Sequence, residues 1–147
     1  MKIKQISVFL ENRSGRLAGV LGILAGVGAN IRALSLADTN DFGILRLIVD
    51  KTDEALAALK EKNFTVRSTD VLAVEVPDRP GGLQSILQVL STADVNVEYM
   101  YAFVTRKTEK AVVIFRFEDA DEALAALKAA GVSVLDADTV HELCAMG

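Results

Sequence analysis

Apolar and polar residues alternate along the chain with a period that changes in a regular order. Lys2–Leu10 has the period of two that is typical of a strand, and Leu17–Gly28 follows with helical spacing. Asp53 is expected to cap the second helix. The pattern predicts further strands at 31–38, 42–50, 64–67, 71–76, 97–105, 111–118 and 132–135, helices at 53–62, 82–93 and 120–130, and a terminal helical turn at 140–144.

The chain contains an internal repeat. Two identical octapeptides, DEALAALK at Asp53–Lys60 and at Asp121–Lys128, lie 121 − 53 = 68 residues apart. The loops at Asn12–Leu17 and Asp78–Leu83 lie 81 − 15 = 66 residues apart, measured between their glycines. Two extra residues therefore enter the second half, most simply at Arg106–Lys110, where they belong in a hairpin turn.

Each repeat has the order strand, helix, strand, strand, helix, strand. This order favours an antiparallel sheet with both helices on one face, which is the ferredoxin-like arrangement. We therefore predict an α+β fold of two tandem βαββαβ units, residues 1–68 and 69–147.

Composition narrows the class of protein. Of 147 residues 51% are hydrophobic, and the charge-free stretch Leu17–Ile31 is too short and too rich in glycine to cross a bilayer. The net charge of −4 opposes nucleic-acid binding, and one histidine with one cysteine leaves almost nothing for a metal site. We expect a cytoplasmic protein with no membrane or nucleic-acid partner, no metal and no cofactor.

No catalytic constellation is visible in the sequence. It contains no Gly-x-Ser-x-Gly motif, no phosphate-binding loop of the Walker type, no His-Glu-x-x-His and no Cys-x-x-Cys. His141 and Cys144 lie three residues apart, but a reactive thiol also needs a pocket and an activating environment. We therefore predict no catalytic residue and no enzymatic activity.

The loop after each first strand carries a family resemblance. Glu11–Leu17, followed by Ala29–Ile31 at the opening of the second strand, resembles the ACT domain, a regulatory module that binds amino acids. Asp78–Leu83 with Val95–Val97 repeats the motif, so the resemblance covers the chain as two tandem copies. It implies a ligand site between ACT units, lined by this loop, the start of the first helix and the opening of the second strand.

The residues of the implied site suit a zwitterion. Gly15 lets a ligand approach the backbone, and the N–H groups that begin the next helix favour a carboxylate. In serine-binding ACT domains two asparagines contact the ligand, and they correspond to Asn12 and Asn30, and to Asp78 and Asn96 in the second unit. The expected ligand-binding residues are Asn12, Arg13, Ser14, Gly15, Arg16, Leu17, Asn30, Ile31, Asp78, Arg79, Pro80, Gly81, Gly82, Leu83, Asn96 and Val97.

Four of these residues have alternative roles. Asn30 and Asn96 can terminate a helix instead, or as well, because asparagine tolerates the left-handed conformation. Arg13 and Arg79 can be ordinary solvated loop residues. Both alternatives stay open at the level of sequence.

Ligand preference is expected to differ from serine and between the units. Leu10 and Val76 stand where some serine-binding relatives have a histidine, and we expect a small or branched aliphatic amino acid. Strand 31–38 is expected to present Arg32, Leu34, Leu36 and Asp38 on one face and, on the other, Ile31, Ala33, Ser35 and Ala37. Asp78 presents a carboxylate where Asn12 presents an amide, so the first unit is expected to bind more tightly.

The first helix carries a stripe of glycines. At 100° per residue its core side holds Leu17, Leu21, Leu24 and Gly28, and its opposite side holds Gly19, Gly22 and Gly26. Each glycine inside a helix costs about 1 kcal/mol relative to alanine. The stripe predicts a homodimer with a close helix-to-helix contact at these three glycines, and the alternative is a tolerated weakness or useful flexibility.

These observations predict a sensor that binds a small amino acid and reports on it through its association with a partner. The alternative is an interaction module without a ligand, whose sheets dimerise or dock onto a metabolic enzyme.

Overall fold

The computed structural model of the protein describes residues 1–11, 13–38, 41–104 and 110–143. These residues form two compact units, each of which is described by itself. The N-terminal unit comprises Lys4–Thr69, and the C-terminal unit comprises Met1–Ile3 and the described residues from Asp70 to Leu143. Among the described residues, no helix combines the length and apolar character that crossing a bilayer requires.

The N-terminal unit has the predicted order of elements. They are β1 (Ile3–Glu11), α1 (Arg16–Gly26), β2 (Ile31–Asp38), β3 (Phe42–Val49), α2 (Thr52–Glu61) and the first part of β4 (Thr65–Pro77). β3 pairs antiparallel with both β1 and β2, and the strand order is β2-β3-β1-β4.

The C-terminal unit repeats this order from the second part of β4. Its further elements are α3 (Gly82–Thr92), β5 (Val97–Val104), β6 (Lys110–Phe117), α4 (Ala120–Ala129), β7 (Val134–Leu135) and α5 (Ala137–Leu143). The strand order is β5-β6-β4-β7, with antiparallel pairs throughout. The two units confirm the predicted α+β fold of two ferredoxin-like βαββαβ repeats.

Each sheet buries one face under two helices. In the N-terminal unit Val20 and Leu24 of α1 and Ala55 and Leu59 of α2 are fully buried. They pack on strand residues Ile6, Val8, Leu10, Leu45, Leu47 and Val49. The corresponding core of the C-terminal unit contains Leu72, Val74, Val76, Ile86, Leu90, Val113, Phe115, Phe117, Ala123 and Leu127. Each large apolar side chain buried in this way contributes roughly 1.5–3 kcal/mol.

Strand pairing confirms the position of the two extra residues. Asp38 pairs with Gly43 in the first hairpin, and Val104 pairs with Ala111 in the second. The offset between the repeats is 104 − 38 = 66 before the turn and 111 − 43 = 68 after it. Both additional residues therefore enter the β5–β6 hairpin.

Two local predictions were wrong, and a third was right only in part. The strands expected at 64–67 and 71–76 are one strand, β4, because no glycine or proline interrupts the chain between them. α2 begins at Thr52, so Asp53 lies in its first turn, where it interacts with the helix dipole, and does not cap it. On the predicted core side of α1 Leu24 is buried and Leu17 and Leu21 pack half-buried against the core. Val20 is also buried there, and Gly28 is exposed beyond the helix end.

The predicted faces of β2 also need correction. A β-bulge lies between Ile31 and Ala33, where the pairing with β3 shifts register. Ile31 therefore joins the core under the helices, while Ala33 lies on the other face of the sheet, opposite Ile48. An inserted bulge residue reverses the alternation, which a simple period of two cannot anticipate.

Several predicted features lie outside the described residues. They are the expected binding residue Asn12, positions 39–40 between β2 and β3, positions 105–109 between β5 and β6, and Cys144.

Candidate functional site

The two predicted binding loops have the same backbone hydrogen bonds. Arg13 N–H donates to the Glu11 carbonyl at 2.8 Å, as Arg79 N–H does to Pro77 at 2.9 Å. The carbonyl groups of Arg13 and Arg79 in turn accept from the backbone N–H of the first residue of the following helix, at 3.3 Å and 3.0 Å. The loops are thus equivalent in structure as well as in sequence.

Each loop ends at a left-handed glycine that precedes a helix. Gly15 has φ 87° and Gly81 has φ 84°, values that side chains other than glycine rarely adopt. Among the described residues no side chain caps α1 or α3, and neither helix has an acidic residue in its first turn. The first N–H of each helix donates to the loop, so the N–H groups available to an anion, such as the carboxylate of an amino acid, are those of the second and third helical residues.

The residue after each of these glycines distinguishes the loops. Gly82 is buried, and a Cβ there would collide with the carbonyl oxygen of Pro77. Its counterpart Arg16 is half-buried, and its guanidinium lies 4.6 Å from the centre of the Phe64 ring. The Nε of Arg16 is buried without a hydrogen-bond partner in the described structure.

The loop arginines lie at the surface. The Arg13 side chain is 73% exposed, and its Nη1 lies 3.3 Å from Glu11 Oε2. Arg79 lines an open depression of about 520 Å³ with Pro77, Asp78 and Lys110. An exposed ion pair of this kind contributes at most about 1 kcal/mol, so Arg13 is free to exchange Glu11 for another anion.

The asparagines that precede β2 and β5 make equivalent backbone hydrogen bonds in the two units. The Asn30 carbonyl accepts from Asp50 N–H at 3.2 Å, and the Asn96 carbonyl accepts from Glu118 N–H at 3.3 Å. Neither asparagine has a positive φ; the left-handed residues that follow α1 and α3 are Gly28 and Asp94. The suggestion that the asparagines terminate the helices in that conformation was wrong.

Side chains near these asparagines differ between the units. In the N-terminal unit Asp50 Oδ1 accepts from Asn30 N–H at 2.8 Å, and its Oδ2 lies 3.8 Å from Arg32 Nη2. In the C-terminal unit Glu98 replaces Arg32 and pairs with Arg116 at 3.7 Å. Sequence reasoning missed Asp50, although its place directly after β3 marks it as a residue able to reach the neighbouring strand.

Within the N-terminal unit the binding loop and Asn30 lie far apart. Gly15 precedes α1 and Asn30 follows it, so the eleven-residue helix separates them by about 16 Å. Strand pairing agrees, because Glu11 pairs with Phe42 at one end of β3 and Ile31 pairs with Val49 at the other. Arg13, Ser14, Gly15, Arg16 and Leu17 form one cluster, and Asn30 and Ile31 form another.

The glycine stripe of α1 faces outward. Gly19, Gly22 and Gly26 are exposed, and a Cβ on any of them would meet no atom within 4 Å. Ala18 and Ala25 are exposed beside them, so this face of α1 carries no polar side chain. The corresponding face of α3 carries Ser85, Gln88 and Thr92.

Two groups with a shifted pKa lie outside the predicted binding residues. A hydrogen bond and the charge of Asp121, 3.0 Å away, raise the pKa of Lys2. Hydrogen bonds from the Thr139 side chain and backbone lower the pKa of Asp136. No group of three histidine, cysteine, aspartate or glutamate residues able to hold a metal occurs in the ranges that the structure describes.

A family match decides the classification of this chain. The family described as an ACT domain pair matches residues 1–143. The chain belongs to the ACT domain pair family. No match to it is found among curated proteins.

Solved structures agree with an ACT pair. Protein BT0572 from Bacteroides thetaiotaomicron is 42% identical, with a TM-score of 0.91, over 97% of this chain and 98% of its own. The ligand-free regulatory subunit of aspartate kinase from Thermus thermophilus is 20% identical, with a TM-score of 0.64, over 87% and 90% of the two chains. The corresponding subunit from Thermus flavus has a TM-score of 0.62 at 19% identity, over 87% and 92%. The two Thermus structures show likeness of fold alone.

Proposed function

We propose that this ACT pair is a cytoplasmic regulatory protein that binds a small amino acid and changes its association with a partner when it does so. The observation that carries the proposal is the pair of uncapped helix starts, each preceded by a left-handed glycine, Gly15 or Gly81. Backbone N–H groups at the start of a helix can bind a carboxylate by themselves, because they donate hydrogen bonds and carry partial positive charge. The proposal includes no enzymatic activity and no cofactor.

The proposed ligand has to contact both the loop at Arg13–Leu17 and Asn30. A carboxylate at Arg13–Leu17 lies too far from Asn30 for one small amino acid to reach both within a unit, because α1 separates them. A homodimer with its two-fold axis across α1 removes this difficulty. Two α1 helices related in that way run antiparallel, which brings the loop of one chain beside Asn30 of its partner.

The glycine stripe is where such helices meet. Gly22 lies near the middle of α1, with Gly19 and Gly26 on either side, so a two-fold contact centred there is symmetric along the helix. Glycine on both surfaces allows the two backbones to approach closely. The exposed, uncharged face of α1 is then covered in the dimer.

The N-terminal unit is proposed as the tighter site. Arg16 adds a positive charge to the Arg13–Glu11 pair at the start of α1, whereas the C-terminal loop carries Asp78 beside Arg79 and has Gly82 at the position of Arg16. A small or branched aliphatic amino acid is the proposed ligand. Its apolar side chain matches the surroundings of a helix that has no polar residue after Arg16.

An interaction module without a ligand is the second candidate function. β2 is an edge strand, and Leu34 and Leu36 on it are 38% and 51% exposed. An open edge with exposed apolar side chains can pair with another protein. In that case the docked partner is a metabolic enzyme or a second copy.

Thermal unfolding in the presence of each of the twenty amino acids tests the first function. A ligand at 100 times its Kd should add about 2.7 kcal/mol of apparent stability. We expect the largest shift from a small or branched aliphatic amino acid, and Asn30→Ala to weaken it more than Asn96→Ala. Stabilisation by glutamate or tryptophan alone contradicts the proposed ligand class, and no shift with any amino acid favours the interaction module.

Light scattering of Gly22→Leu tests the dimer. A leucine at the centre of the stripe should shift the protein toward monomer and, because the site is shared, weaken amino-acid binding too. The matched control is Gln88→Leu, at the same position of α3, which should leave both unchanged. A Gly22→Leu protein that remains dimeric removes α1 from the interface.

A further inference from the structure

The region where each first helix ends is built from the same backbone in both units. Gly28 N–H donates to the Ala25 carbonyl at 3.1 Å, and Asp94 N–H donates to the Ser91 carbonyl at 3.0 Å. The next bonds, from Ala29 and Val95, measure 3.0 Å and 2.9 Å. Differences in chemistry at this place therefore come from side chains alone.

In the N-terminal unit this place holds an ammonium group of the protein itself. The Nζ of Lys51 lies 3.3 Å from the position that a Cβ on Gly28 would occupy. A positive charge there is favoured because the carbonyl groups at the end of α1 carry partial negative charge.

In the C-terminal unit the residue that corresponds to Lys51 is acidic. Asp119 stands at the position of Lys51, and its carboxylate accepts from the backbone N–H groups of Asp121 and Glu122. Asp94 and Ser91 stand at the positions of Gly28 and Ala25. In the described part of the chain the Asp94 carboxylate belongs to none of the ion pairs.

A depression of about 240 Å³ opens here in the C-terminal unit. Four apolar residues, which are buried or half-buried, and three exposed polar ones line it: Leu87, Leu90, Val95 and Val97, and Ser91, Asp94 and Asn96. The polar lining residues offer a carboxylate, a hydroxyl and an amide, all of which accept hydrogen bonds. The volume suits a short aliphatic chain that carries one polar head.

We propose that this depression binds a small organic cation, a primary ammonium group on a short aliphatic chain, with Asp94 as the residue that selects its charge. The incoming ammonium group takes the place that Lys51 Nζ has in the N-terminal unit, next to the Asp94 carboxylate and the carbonyl end of α3. The aliphatic part lies against Leu87, Val95 and Val97. This inference deepens the proposed function, since Asn96 and Val97 belong to both sites.

Nuclear magnetic resonance titration with n-butylammonium chloride tests the inference, with sodium butyrate as the matched anion. We expect saturable shifts of the backbone amides of 94–97 with n-butylammonium only, and none at the corresponding residues 28–31. Asp94→Asn keeps the size of the side chain and tolerates φ 57°, and it should weaken binding about fivefold. Glu118→Gln removes a nearby carboxylate that does not line the depression, and it should change affinity less than twofold.

A second variant fills the site from within. Asp119→Lys places a lysine where the N-terminal unit has Lys51, and it should abolish the n-butylammonium shifts. Equal response to butyrate, equal response at 28–31, no saturable shift, or unchanged affinity in Asp94→Asn overturns the inference. The probe has no α-carboxylate and does not need the loops, so its failure is distinct from a failure of amino-acid binding.

Discussion

The loops at Arg13–Gly15 and Arg79–Gly81 have the same backbone hydrogen bonds, with lengths that agree within 0.3 Å. The side chains around them are nevertheless different in charge and size. The N-terminal unit has Arg16 stacked on Phe64, and the C-terminal unit has Gly82 packed on a carbonyl oxygen. The two loops thus share a backbone geometry but differ in the side chains that surround it.

The ends of the first helices show the same contrast. The N-terminal unit places Lys51, Arg32 and Asp50 near the opening of β2. The C-terminal unit has acidic residues at the equivalent positions of all three. The local charge at this place therefore has opposite sign in the two units, which is why each unit needs its own test.

The largest expected effect separates the two loops by their packing. Gly82→Ala should reduce the free energy of unfolding by about 3 kcal/mol, because the new Cβ collides with the Pro77 carbonyl oxygen. At the matched position the wild-type residue already has a Cβ. Arg16→Ala therefore loses only the contact with Phe64, and the free energy of unfolding should fall by about 1 kcal/mol. Denaturant unfolding measures both, and equal losses would show that the loops are packed alike.

A smaller effect distinguishes the two strand openings. Asp50→Ala removes the acceptor of Asn30 N–H and the partner of Arg32, and it should cost about 1.5 kcal/mol. Glu118→Ala, its counterpart, should change stability by less than about 0.5 kcal/mol. Urea denaturation of the two variants checks this difference, and a larger loss in Glu118→Ala would contradict it.

The starts of the second helices give a comparison of about 1 kcal/mol. Asp119 caps α4 through two hydrogen bonds of 3.1 Å, so Asp119→Ala should destabilise the protein by about that amount. Lys51 precedes α2 without a side-chain cap, and Lys51→Ala should be neutral within about 0.5 kcal/mol. Thermal unfolding of the two variants measures this difference, and equal losses of stability would contradict it.

The smallest effect concerns α5, which has no counterpart in the N-terminal unit. Bonds from Thr139 lower the pKa of Asp136, so their stabilisation is present above the ordinary aspartate pKa and is lost as pH falls below it. Carboxyl resonances followed by nuclear magnetic resonance should show Asp136 titrating below 3.8. Thr139→Val removes the hydroxyl bond and should raise this pKa, and an unchanged value would exclude that bond as its cause.

Much of the fold could be predicted from the sequence because its signals are local. The repeated octapeptide located both second helices, and the change in offset from 66 to 68 located the longer hairpin. The bulge at Ile31 was missed, since an extra residue in one strand is visible only against its partner. The loop residues were found together, but their separation from Asn30 depends on where α1 begins and ends.

The sequence by itself determined the repeat, the element order, the glycine loops and the uncharged face of α1, because each depends on neighbouring residues or on a regular period. Only the tertiary structure decided that Asp50 holds Asn30, that Lys51 lies at the end of α1, and that Asp94, the counterpart of Gly28, is exposed. The first two contacts join residues about twenty positions apart across a folded sheet. Their partners are chosen by packing and strand register, which no local pattern records.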